Sequence, residues 1–127
     1  WPQARCLMVI GADGDEADHA FGNLWVLPRF ALPTLLFGRA GTRLFASGPA
    51  AWRLHGEAGA KVSVFALSPL AGLCYSGLHW PAEGLALPPF VARAARNALC
   101  GDSATIRWQS GAGVVFVPPG VVAEWIG

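Results

Sequence analysis

Residues 61–67 begin by alternating polar and apolar side chains and are rich in β-formers, which predicts a half-buried strand closed by Ser68-Pro69. A turn is expected around Ala71-Gly72, followed by a second strand over 73–80 with Gly77 inside it. A glycine there usually marks a bulge or a close backbone approach. Pro81 stops the ladder just after Trp80. A large flat ring therefore stands at a strand end beside small residues. It serves either as the lid of a hydrophobic core or as a platform for a cationic or aromatic ligand ring.

Residues 6–12 (Cys-Leu-Met-Val-Ile-Gly-Ala) are apolar without interruption, the pattern of a strand buried on both faces of a parallel sheet. The next stretch, Gly11 to His19, is glycine-containing and acidic. Phe21, Leu24 and Trp25 then recur at helical spacing over 20–27, and Pro28 closes the helix. Strand, acidic loop, helix is an arrangement that α/β proteins use to bind nucleotides at the carboxyl end of a sheet. From Thr34 onward the pattern changes to short β segments at 34–37, 42–46, 51–54, 105–109, 113–117 and 121–126, separated by glycine- and proline-containing turns. That spacing predicts a sandwich or a partly closed barrel. Residues 90–100 have helix-forming composition after Pro88-Pro89, so periodicity alone leaves helix and extended chain open.

A chain of 127 residues suffices for one compact domain or two small packed halves. Its 54% hydrophobic and 13% charged content is apolar enough to expect some of that surface in a subunit interface. Net charge is +1 and the arginines are scattered, which shows no electrostatic footprint for nucleic acid. No run of eighteen apolar residues is present, so no membrane span is expected. Cys6, Cys74 and Cys100 lie far apart without a CxxC spacing and read as reduced core residues of a cytosolic protein. The start, Trp1-Pro2-Gln3, lacks methionine and reads as the interior of a longer protein. His55 and His79 are not spaced with other donors for zinc, and no G-x-S-x-G elbow accompanies Ser68, Ser76 or His79.

Four of the eight carboxylates fall at positions 13–18. Asp15 and Glu16 suit a helix start, where acidic side chains cap and meet the positive end of the dipole. A calcium loop is excluded: counted from Asp13, its twelfth position is Leu24 rather than a bidentate Glu. A carboxylate that holds Mg²⁺ against a polyphosphate stays open.

Two motifs carry a resemblance. Gly11, Ala12, Gly14, Asp18, His19, Asn23 and Leu24 match the pattern G-A-x-G-G-R-x-D-H-x-x-x-N-L of thiamine pyrophosphokinases at such a strand–helix junction. Val62-Ser63, Pro69-Leu70 and Gly77-Leu78-His79-Trp80-Pro81 resemble the same family's thiamine-binding segment. Asp15 replaces a family glycine and Glu16 the family arginine, which puts an anion where nucleotide phosphates would want a cation.

The resemblance implies a mainly β fold: a strand and helix of an α/β nucleotide-binding domain (1–32), then a β-sandwich thiamine-binding domain (33–127). It implies a transferase that moves pyrophosphate from ATP to thiamine with Mg²⁺, giving thiamine diphosphate and AMP, as a cytoplasmic homodimer with its site shared between subunits. Gly11 and Gly14 would face the nucleotide, and Asp18 would be the catalytic acid and metal or substrate ligand. Trp80 would stack on thiamine, with Ser76 and Asn97 lining the pocket; Asn97 matches the Asn of a family Ser-Asn pair aligned on Arg96-Asn97 in an extended segment. His19 would be structural. Because the family's other acids are not in these 127 residues, the chain alone is expected to be inactive. The rival expectations are a non-catalytic thiamine or small-ligand binding module and a purely structural β-domain.

Overall fold

The computed structural model describes residues 2–12 and 14–127. Asp13, the first position of the excluded calcium loop, and Trp1 lie outside the described residues. In chain order the elements are β1 (Leu7–Ile10), α1 (Ala17–Trp25), a 3-10 turn (Leu27–Arg29), β2 (Thr34–Gly38), β3 (Gly41–Ser47), β4 (Ala50–His55), β5 (Lys61–Ala66) and β6 (Leu70–Ser76). They continue with β7 (Ala82–Leu87), β8 (Asn97–Ala98), β9 (Ser103–Trp108), β10 (Ala112–Val117) and β11 (Val122–Trp125).

The fold is mainly β, with a six-stranded sheet ordered β1-β2-β3-β10-β5-β8 and a five-stranded sheet ordered β11-β4-β9-β6-β7. Period-two burial drives the two sheets together: along β5, Val62, Val64 and Ala66 are buried while Lys61, Ser63 and Phe65 are not. The core between the sheets is built from Leu44, Val62, Val115 and Trp52, among others. Trp52 is fully buried and meets Trp125 edge to face, with ring centroids 4.8 Å apart. A smaller cluster of Leu27, Leu36, Phe45 and Ala112 forms on the opposite face of the six-stranded sheet, with Leu24 of α1 and Val9 of β1 packed against it.

β1 pairs with β2 in parallel, Leu7 opposite Thr34 through Ile10 opposite Phe37, with α1 as the crossover between them. The expected strand is therefore present in a parallel pair, but it is not buried on both faces. β1 is the outermost strand of its sheet, and Met8 is 68% and Ile10 85% exposed.

Three further expectations are corrected. No turn forms at Ala71-Gly72; both lie inside β6, where Ala71 bridges Ser110. Gly72, at φ 67, takes up an irregularity in the pairing with β7 instead of reversing the chain. The strand expected at 73–80 ends at Ser76, and β7 follows Pro81 unforeseen. It lies at a sheet edge, where flanking prolines are tolerated. Lastly, α1 starts three residues before the apolar spacing indicates, at Ala17, and its N-cap Glu16 makes no side-chain capping bond.

Candidate functional site

The site is centred on the corner where β6 ends. Gly77 has φ 78, and a Cβ there would lie 2.4 Å from the Ser103 carbonyl oxygen, so only glycine lets the backbone pass. Beyond it the chain leaves the five-stranded sheet and pairs with the segment around β8. Leu78 bridges Leu99, the Cys100 N–H donates to the Gly77 carbonyl at 2.9 Å, and the His79 N–H donates to the Ala98 carbonyl at 2.9 Å.

At the next position a side chain takes over from the backbone. Asn97 Oδ1 accepts the Trp80 N–H at 3.1 Å, and Asn97 Nδ2 donates to the Trp80 carbonyl at 2.8 Å. Oδ1 also accepts the Ala98 N–H at 2.9 Å. The amide is 4% exposed, whereas the residue it grips is 66% exposed. Trp80 is thus held by its backbone while its indole faces outward, with the His79 ring 6.3 Å away centroid to centroid.

The structure brings Trp80 and Asn97 together and leaves Ser76 elsewhere. Ser76 lines a pocket of about 270 Å³ on the five-stranded sheet with Tyr75, Glu83, Thr105 and Arg107. Burial raises the Tyr75 phenol above its ordinary 10.0, and the charge of Arg93 partly offsets this. Residues 90–100 form no helix; they run through a turn into the two residues of β8.

The second candidate region lies at the carboxyl ends of the parallel pair. Gly11 and Gly14 line a pocket of about 420 Å³ with Ile10, Asp15, Phe37, Gly38 and Arg39. The Gly11 N–H donates to the Phe37 carbonyl at 3.0 Å, and Asn23 of α1 donates its amide to the Ala12 carbonyl, which ties the loop back to the helix. Asp15 pairs with Arg39 at 3.1 Å, both side chains at least 80% exposed. Asp18 is exposed in the first turn of α1, outside the residues that line this pocket, and its Oδ1 accepts the His19 N–H at 3.0 Å.

These acids do not by themselves fit a Mg²⁺ centre. Among the described residues no group of three or more His, Cys, Asp or Glu side chains is placed to hold a metal ion. All three cysteines are free. Among the described residues no helix is long and apolar enough to cross a membrane.

A third pocket, of about 190 Å³, went unforeseen because its residues are scattered in sequence: Arg43, Lys61, Ser63, Arg96 and Phe116 line it. The one available signal was the alternation that puts Lys61, Ser63 and Phe65 on the same outer face of β5.

Solved structures share this architecture. The thiamine pyrophosphokinase from Bacillus subtilis superposes with a TM-score of 0.78 at 16% identity, over 92% of this chain and 56% of that one. The chain has the thiamine pyrophosphokinase fold. The thiamin pyrophosphokinase from Geobacillus thermodenitrificans matches at TM-score 0.72 and 23% identity, over 91% of this chain and 55% of that one. The Candida albicans enzyme matches at 0.58 and 12%, over 89% and 44%. This chain spans about half the length of the thiamine pyrophosphokinases that it matches. No family model and no curated protein matches the sequence.

Proposed function

We propose that this chain is the thiamine-recognising part of a thiamine pyrophosphokinase-like transferase. Its reaction would be transfer of a pyrophosphoryl group from ATP to the hydroxyl of thiamine, giving thiamine diphosphate and AMP. One observation carries the reading: in this fold, the backbone of Trp80 is held by two hydrogen bonds to the buried side-chain amide of Asn97, while its indole is exposed. An outward-facing aromatic ring on a fixed backbone is a platform on which a cationic heteroaromatic ligand can stack. Asn97 acts here as a positioning residue for Trp80. Gly11 and Gly14 line the pocket beside the carboxyl ends of the parallel pair, and we assign the nucleotide to it.

Transfer of this kind rests on positioning and on neutralising phosphate charge. Mg²⁺, when bound, supplies that neutralisation. Asp18 is the acid we assign to the phosphate side, and it does not form a metal centre alone. We assign the exposed Phe21, Trp25 and Phe90 to contacts with a second copy of the chain or with other parts of the protein, in the cytoplasm, as in a homodimer whose site is shared.

A second reading, a thiamine-binding module without transfer chemistry, is favoured by Glu16 in place of the family arginine, since its charge would repel phosphates.

Calorimetric titration with thiamine tests the site. Wild-type chain is expected to bind, and Trp80→Ala to bind roughly tenfold more weakly or not at all. Equal affinity in the two proteins removes Trp80 from the site. AMP release from ATP and thiamine then separates the transferase from the binding module.

A further inference from the structure

We propose that the outer face of the six-stranded sheet carries an anion subsite for a diphosphate group, with Arg43, Lys61 and Arg96 as its cations. The inference goes beyond thiamine recognition and does not depend on it.

Strand register builds the notch. Phe116 of β10 lies opposite Arg43 of β3 on one side and opposite Ser63 of β5 on the other, so the three side chains form a row across the sheet. Lys61, two residues before Ser63, stands on the same face. The Arg43 guanidinium lies 5.8 Å from the centre of the Phe116 ring, which fixes its approach to the notch. Arg96 enters from the loop before β8. Its N–H donates to Ser63 Oγ at 2.9 Å, and its φ of 63 is a left-handed conformation that a non-glycine residue seldom adopts without compensation. The loop therefore delivers an arginine to this face at a backbone cost.

Charge and size say what fits. Among the described residues no carboxylate lines the notch. Among the described residues Lys61 and Arg96 have no ion-pair partner, in contrast to Arg53 on the other sheet, whose guanidinium is 3.8 Å from Glu124. Lys61 and Arg96 carry like charges into so small a space, and an anion joining them relieves their repulsion. At about 190 Å³ the notch is smaller than the roughly 300–1,000 Å³ of pockets that hold a whole organic ligand, and it suits a phosphate chain. Two arginine forks and a lysine point charge are the side chains that recognise phosphate oxygens. Phe116 also walls an apolar groove of about 410 Å³ that includes Trp25 and Phe65, so the organic part of a diphosphate ester would leave the notch over aromatic surface.

Equilibrium dialysis of the full chain against labelled inorganic pyrophosphate tests the notch directly. One equivalent is expected to bind, less tightly as salt is raised. The double variant Lys61→Gln/Arg96→Gly is expected to bind at least tenfold more weakly; glycine is chosen because it accepts the left-handed backbone at that position. Arg53→Gln and Trp80→Ala are expected to keep the wild-type affinity. The Trp80 result separates failure of this site from failure of the thiamine site. No binding by the wild type, or equal binding by the double variant, overturns the proposal. Competition with thiamine diphosphate distinguishes the sources: tighter binding than pyrophosphate supports an esterified ligand, and equal binding supports the free anion.

Discussion

The corner at Trp80 and the acidic loop after β1 both match family motifs, yet they are built in opposite ways. At the corner a buried amide grips the backbone of an exposed tryptophan, and Leu78 just before it is paired with Leu99. In the loop and the first turn of α1, Asp15 and Asp18 are exposed; Asp15 makes a surface ion pair with Arg39, and Asp18 accepts the next residue's N–H. The first region holds its geometry before a ligand arrives. The second is held by bonds at the surface. Stacking suits the first kind of site, because ring alignment must be fixed in advance. Phosphate chemistry suits the second, where charges gather around the ligand.

Substitutions that break one region and spare the other sharpen this contrast. Gly77→Ala forces a Cβ into the Ser103 carbonyl at a left-handed position, and it should cost about 3 kcal/mol in chemical denaturation. A cost under about 1 kcal/mol would show that the corner yields. Asn97→Ala comes next, at about 2 kcal/mol, because it orphans both backbone groups of Trp80, one side of which water can reach. The same variant should weaken thiamine binding, and unchanged affinity would mean that the clamp does not position the ring. Asp15→Asn has the smallest expected effect. The ion pair with Arg39 is fully at the surface, so stability should change by no more than about 0.5 kcal/mol, and a larger loss would show the loop to be more ordered than its bonds suggest.

Much of the fold was legible from local pattern. The alternation in β5, the hairpin-like spacing of β2 and β3, and the helical recurrence of Phe21, Leu24 and Trp25 each reported a real element. Errors arose where local pattern and long-range pairing disagree. Gly72 looks like a turn residue, but Gln109 and Ser110, just after β9, keep the ladder going through Ala71. The apolar run in β1 signals a strand with neighbours; among the described residues it pairs with β2, in a chain that spans about half the length of the structures it matches. That Trp80 stands exposed beside a proline was among the two readings open for it, although the strand ends earlier, at Ser76. That Asn97 grips its backbone was not legible, because seventeen residues separate them and only the folded corner closes that gap. The cationic notch was the least legible of all, since Arg43, Lys61 and Arg96 meet through register across three strands.

A β-sheet is normally robust to point changes in one respect: every residue type except proline supplies the same two main-chain groups, so a rung survives whatever side chain is swapped. At position 80 the rung is completed by an amide that is genetically encoded. The length of this ladder is therefore editable by a single codon, and the aim of the indole can drift in evolution without any change to the tryptophan itself.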